Sequence, residues 1–535
     1  MRLLLVSILA AVSVLASACS KRQTPVAEGL ASKTLHLGNN AEPRDLDPHV
    51  VVAYSDYNVL MALFEGLTVL DEASGKPLPA MAKSWEVSDD GLHYTFHLRE
   101  TAVWSTGDPV TAEDFAFSIR RILTPSMASE YSYMLYPLKG AEAFNLGRTD
   151  DFSTVGVEVL DARTLRLTLD RPTPYFLALT GHQAWFPVHR ASIEKYGDPL
   201  QRTTRWTQPE RFVGNGAFLL ETWAPDQRIV VKKNPQYWDA AANALERVVF
   251  YPIANPKTEE ANFRAGQLHV TYEVLPDRID TYRRDHPEQI RVDPLLESFF
   301  LRFNTTRAPF TDKRVRRALA LAIDREAIAG SVMRGKVMPA YSLVPDDTGG
   351  YHSTARTPTD FEAARRLLAE AGYPNGQGFP KVEIQMNGDP INTAIHEAIQ
   401  AMWRRELNIE VGLAQLEFRV YLDNQHTLNY DVTRSRWVSD YNDPASFTDL
   451  FTSTSGNNDT GWKSPEYDRL LDAASRERDP ARRFAHLQQA EALLLEEAPL
   501  APVFFGTRTY LIHPQVKGWV PSLLGIRRYQ TIRLE

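Results

Sequence analysis

The chain has 535 residues, 43% hydrophobic and 24% charged, with a formal net charge of −8. That length exceeds what one small core supports and suits two or three domains, and the composition excludes a disordered chain. A mildly acidic chain of this size also lacks the electrostatic footprint of a nucleic-acid binder.

At the N-terminus, Met1-Arg2 leads into the apolar, small-residue run "LLLVSILAAVSVLASA", which ends at Cys19. A basic start, a short apolar stretch and small residues at the cut are the parts of a secretory signal. A spanning helix needs roughly 20 apolar residues; this run is shorter and meets Ser20-Lys21-Arg22 at once. An uncleaved anchor and a plain soluble export signal are the other readings. Cys19 is the only cysteine, which rules out an internal disulfide and any zinc site built on several cysteines. Residues 20–32, "SKRQTPVAEGLAS", are polar and small and read as a tether.

From residue 34 strand-like and helix-like segments alternate. "TLHLG" opens as a strand, and "HYTFHLRE" at 93–100 and "TLRLTLD" at 164–170 alternate with period two. "RIVVKKN" and "ERVVFYPI" are further strand candidates. Helix starts are marked at Thr111 with Asp114, at Thr359 with Glu362 and at Asp479 with Pro480. The stretch 312–333 carries Val315, Leu319, Ala322 and Ile323 on one face. No repeat or low-complexity tract occurs, and the irregular mixture predicts α/β and α+β lobes.

Catalytic motifs fail one by one. "GNGAFLL" at 214–220 lacks a third glycine and leads into a strand, not a helix. "HEAIQ" at 396–400 has Gln400 where a zinc protease needs its second histidine. There is no Walker A lysine motif and no G-x-S-x-G elbow.

"SRWVSDYNDPASF" at 435–447 sets Asp440 and Asp443 among Trp437, Tyr441 and Phe447. Asp443 reads as a helix N-cap with Pro444 at N1. Asp440 reads either as a turn residue or as a carboxylate kept for a cation.

Nine segments stand in order: "EPRDLDPH" at 42–49, "LFEGL" at 63–67, "SWEVSDDGLHYTFHLRE" at 84–100, "WSTGDPVTAEDF" at 104–115, "VGNGAF" at 213–218, "NPQYWD" at 234–239, "PFTDKRVRRALALAIDRE" at 309–326, "LLAEAGYP" at 367–374 and "SDYNDPASF" at 439–447. Together they closely resemble the oligopeptide-binding proteins of bacterial ABC importers, solute-binding family 5, over nearly the whole mature chain. The resemblance implies an α/β, two-lobe periplasmic binding protein fold (type II, large cluster with an extra domain) closing on its ligand by a hinge. It implies a signal peptide over 1–18, a lipidated tether over 19–33, a discontinuous lobe I from 34–54, 187–296 and 507–535, an extra domain at 55–186 and lobe II at 297–506. "LASAC" resembles a bacterial lipobox, with Ala16 where leucine is commoner. That implies lipid on Cys19 and a protein held in the periplasm or at the cell surface.

The implied function is capture of oligopeptides for an ABC permease by a monomer, with no catalysis, no cofactor and no nucleic acid. The family aspartate at Asp440 binds the peptide's α-ammonium. Tyr131 matches a tyrosine near that end, Glu42 a glutamate lining the cleft, and Trp437 a tryptophan beside a side-chain pocket. Ser439 and Phe418 are counted with them, Phe418 standing where a relative has tryptophan. Arg434 matches an arginine that helps hold a peptide C-terminus. The carboxylate end departs from the pattern: Met333 and Asn392 stand where lysine and histidine occur, and Gln425 where arginine occurs, with Arg334 beside Met333. A murein peptide, nickel complex, haem or sugar ligand on the same fold is the second binding hypothesis; an exported hydrolase is the alternative from another class.

Overall fold

The structure, a computed structural model, describes residues 23–202, 205–388 and 390–535. The signal run and Cys19 lie outside the described residues. No helix among those described is long and apolar enough to cross a membrane.

Three sheets organise the chain. The first is ordered Thr34–Gly38, Arg247–Tyr251, Arg228–Lys233, Phe218–Ala224, with the first pair parallel and the others antiparallel. "GNGAFLL" feeds the strand Phe218–Ala224, so no phosphate-cradling helix follows its glycines. The second sheet is fully antiparallel: Ala82–Val87, His93–Leu98, Thr164–Thr168, Val157–Asp161. Its period-two text becomes burial, with Tyr94, Phe96, Leu98, Leu165 and Leu167 inside. The third is ordered Met338–Pro339, Leu500–Leu511, Ile290–Phe303, Val432–Val438, Val382–Asn387, Val411–Leu416.

Two long strands, Ile290–Phe303 and Leu500–Leu511, run antiparallel from one body into the other. At one end Ile290 faces Leu511, beside bridges that link Ile512 to Val270 and Val270 to Leu37 of the first sheet. At the other end Leu301 faces Ala501 inside the third sheet. The register breaks midway, where residues 295–297 stand against Gly506 alone. Glycine is required there: a Cβ on Gly506 would lie 2.5 Å from the Glu297 side chain. Leu296 donates its amide to the Leu523 carbonyl instead of the ladder.

One core joins the first two sheets through residues such as Leu35, Phe96, Trp104, Phe218 and Ile532. A second packs the helices Lys313–Leu321, Phe361–Glu370 and Pro390–Leu407 onto the third sheet. A third cluster, including Leu70, Leu296, Phe447, Trp462 and Leu524, lies where these bodies meet.

Local signals set most helix starts. Thr111 caps Ala112–Leu123, its amide donating to Asp114 at 2.8 Å, and Asp479 caps Pro480–Glu497 by accepting from the Arg482 amide. At Phe361–Glu370 the cap is Asp360, one residue beyond the expected Thr359. The Thr359 hydroxyl donates instead to the Ile323 carbonyl at 2.7 Å, leaving the Asp360 carboxylate to receive the Ala363 amide. In the helix Pro390–Leu407, Ile395, Ile399 and Met402 are buried, and His396 is turned to the Asn392 carbonyl. Pro25–Ser32, expected within a tether, is a helix capped by Thr24. It docks through the Val26 amide to the Gly266 carbonyl, with Val26 buried.

Candidate functional site

The strand Val432–Val438 lies between Ile290–Phe303 and Val382–Asn387, so the loop leaving its end is held on both sides. The Ser439 amide donates to the Leu296 carbonyl at 2.8 Å, and the Ser439 hydroxyl donates to the Tyr441 carbonyl. Buried Ser439 thus shapes the turn that presents Asp440.

Asp440 lines a cavity of about 340 Å³ with Tyr54, Tyr57, Tyr131, Tyr133, His182 and Trp437. The Tyr133 hydroxyl donates to its Oδ2 at 3.1 Å. No lysine, arginine or histidine forms an ion pair with Asp440 among the described residues. Burial pushes its pKa up to about 6, the Tyr133 hydrogen bond pulling the other way. Burial pushes His182 down to about 3, so the cavity's imidazole is neutral and supplies no countercharge. The Tyr131 ring meets His182 edge-on at 4.8 Å, and burial, aided by Asp440, raises its phenol. The Trp437 indole donates to the Ser446 hydroxyl at 3.3 Å.

Asp443, three residues on, is spent internally. It accepts the Ala445 amide at 2.9 Å, but the expected cap is displaced by one residue: the regular helix begins at Ala445 with Pro444, not Asp443, in the N-cap position. It also takes both ends of the buried Arg483 guanidinium, at 2.9 and 2.6 Å. Around these aspartates the loop is stitched to the body built on the first two sheets. Tyr441 stacks on Tyr175 at 4.4 Å, and the Asn442 amide donates to the Ser74 carbonyl at 2.6 Å.

A second cavity, of about 450 Å³, adjoins the first, and Tyr54 lines both. Lys336, Arg434, Arg436 and Arg508 line it, together with Glu273, Glu297, Met333 and Asn392. Arg434 lies with its guanidinium 5.0 Å from the Tyr421 ring centre, and its carbonyl accepts from the Tyr421 hydroxyl and the Gln425 amide, both at 2.7 Å. Gln425 is therefore buried as a brace for Arg434. Arg436 pairs with Glu297 at 2.8 Å, and Lys336 faces Glu273 at 3.6 Å. Arg508 donates to the Gly525 carbonyl at 3.0 Å and rests 4.9 Å over Tyr272. Arg334 lies outside this lining, 4.0 Å from Asp280.

The structure brings together Asp440, Tyr131, Trp437 and Ser439 at one cavity and sets Arg434 in the next. Glu42 and Phe418 line neither. The Glu42 carboxylate accepts from the Trp223 indole and the Asp226 amide. Phe418 is 54% exposed and packs on Tyr421. Tyr133, two residues after Tyr131, and Lys336, three after Met333, were within reach of a reading of their neighbours. Tyr54, His182 and Arg508 carry no local signal. The paired cavities offer an uncompensated carboxylate in an aromatic wall at one end and a cationic wall at the other, a complement to an extended zwitterion.

The family model for bacterial extracellular solute-binding proteins, family 5 (middle region), matches residues 76–459. The periplasmic oligopeptide-binding protein OppA of Salmonella typhimurium is 35% identical over 522 residues, covering 94% of this chain and 93% of that protein. The murein tripeptide binding protein MppA of Escherichia coli superposes with a TM-score of 0.80 at 33% identity, over 94% of this chain and 98% of that one. OppA of Haemophilus influenzae in complex with the peptide RPPGFSPFR gives a TM-score of 0.78 at 31% identity, over 94% and 99%.

Proposed function

The chain belongs to the family 5 bacterial extracellular solute-binding proteins, and from that premise we propose that it captures oligopeptides in extended form and delivers them to an ABC permease. The α-ammonium docks on Asp440 between Tyr131, Tyr133 and Trp437, and the C-terminal carboxylate reaches Arg434. Ser439 sets the Asp440 turn. Side chains occupy the remaining, water-filled space of the two cavities, where waters adapt to each guest. Lobe I (34–54, 187–296, 507–535) carries the extra domain 55–186, and lobe II (297–506) closes on it about the register break at Gly506. The protein works outside the cytoplasm as a monomer held to a membrane by lipid on Cys19, without catalysis or cofactor.

The observation that carries this reading is Asp440, a half-buried carboxylate with one tyrosine donor and no cation among the described residues. A peptide amino group is protonated below its pKa of roughly 8. Unit charges about 4 Å apart attract by roughly 4 kcal/mol at an effective dielectric near 20, before desolvation. Calorimetry with trialanine and its N-acetyl form, on the wild type and Asp440→Asn, tests the assignment. Asp440→Asn is expected to lose about two to three powers of ten in affinity for the free peptide. The acetylation penalty should then largely vanish in the variant. An equal penalty in both proteins would return Asp440 to the role of a turn residue.

A further inference from the structure

The basic cavity holds four cationic side chains against two carboxylates, and both carboxylates have partners: Glu297 pairs with Arg436 and Glu273 faces Lys336. Arg434 is the arginine assigned above to the peptide's own carboxylate. Arg508 is different, because no carboxylate lies within ion-pair distance of it among the described residues. Asp293, opposite it in strand register, accepts the Tyr510 hydroxyl instead. The Arg508 guanidinium has five N–H donors, of which the Gly525 carbonyl takes one, and the Tyr272 face beneath it supports the group without neutralising it.

The placement of Arg508 separates it from Arg434. Arg434 stands opposite Leu301, and Arg508 opposite Asp293, on the two sides of Ile290–Phe303. Residues 293 and 301 would be about 25 Å apart along a fully extended strand, and although the register break shortens that span, the two arginines enter the shared cavity from different ends of the strand. Between them the Arg436–Glu297 pair is closed on itself, with Glu297 seated against Gly506.

We propose that Arg508 receives a side-chain carboxylate of the bound peptide, so that the protein favours peptides with an acidic residue after the first position. The inference rests on the peptide-binding reading above, and its test separates the two. Trialanine, Ala-Glu-Ala, Ala-Ala-Glu and their glutamine counterparts are titrated calorimetrically into the wild type, Arg508→Gln and Arg508→Lys. In the wild type one of the acidic peptides should bind about tenfold tighter than its glutamine counterpart, the scale of a charge-assisted hydrogen-bonded pair. That ratio should fall to about one in Arg508→Gln and be partly kept in Arg508→Lys, which retains the charge. If trialanine binds but glutamate gains nothing over glutamine, the inference fails while peptide binding stands. If amidating trialanine costs affinity in the wild type but not in Arg508→Gln, Arg508 holds the terminal carboxylate and the inference is overturned. If none of the peptides binds, both readings fall.

Discussion

The aromatic end and the basic end of the cleft handle charge in opposite ways. At the first, Asp440 stands with tyrosines, a tryptophan and a neutral histidine, with Glu130 adding a second carboxylate to the lining, and no cation there among the described residues compensates it. At the second, four cations face two carboxylates in one cavity, Arg436 pairing with Glu297 and Lys336 facing Glu273, so positive charge is in excess and is shared among several residues. One desolvated charge in a poor dielectric makes recognition depend on one residue. A cluster of cations spreads it, because removing one member leaves others to reorganise.

The sharpest way to break this contrast is to block the peptide's termini in turn. N-acetylation should cost about a hundredfold or more in affinity, whereas C-terminal amidation should cost about tenfold or less. Equal losses measured by calorimetry would show that both ends depend on a single charge. A second test asks whether damage near Asp440 imitates its loss. Asp443→Asn removes the carboxylate paired with buried Arg483, leaving only the more distant Asp449 to offset it, and should lower unfolding stability by roughly 3 kcal/mol in urea. Peptide affinity of the folded protein should stay within about threefold. A large affinity loss with intact stability would make Asp443 part of the site.

The most gradual effect is on pH dependence. The ammonium requires ionised Asp440, so affinity should fall as pH drops through about 6 and approach a tenfold loss per unit below it. Above pH 8 the peptide amine itself loses its proton. In the ligand-free protein the raised pKa means that the folded state binds more protons than the unfolded between 3.8 and about 6, so stability rises as pH falls through that window. Asp440→Asn removes this penalty and should melt higher than the wild type at neutral pH, the gap closing toward pH 4. A gap that persists at pH 4 would trace the effect to packing.

Much of the fold was legible because its signals are local. Alternation at 93–98 and 164–168 and the caps at Thr111 and Asp479 each depend on a few neighbouring residues. What escaped is non-local. The choice of Asp360 over Thr359 was made by a carbonyl at Ile323, and the second role of Asp443 by an arginine 40 residues away. The site divides in the same way. Asp440, Trp437 and Arg434 sit on one strand and its loop, whereas Tyr54 and Arg508 arrive from opposite ends of the chain and meet only through folding.

The docked helix Pro25–Ser32 sets the length of a leash. Under the lipid anchor proposed above for Cys19, an undocked segment would leave the body on a tether of about fourteen residues. Docking at Gly266 leaves only the stretch before Pro25, which spans at most about 20 Å when fully extended. Held by that proposed anchor, a body on so short a line would sample a thin shell beside the bilayer. Encounters with the permease proposed as its partner would then resemble a two-dimensional search more than diffusion through the surrounding volume.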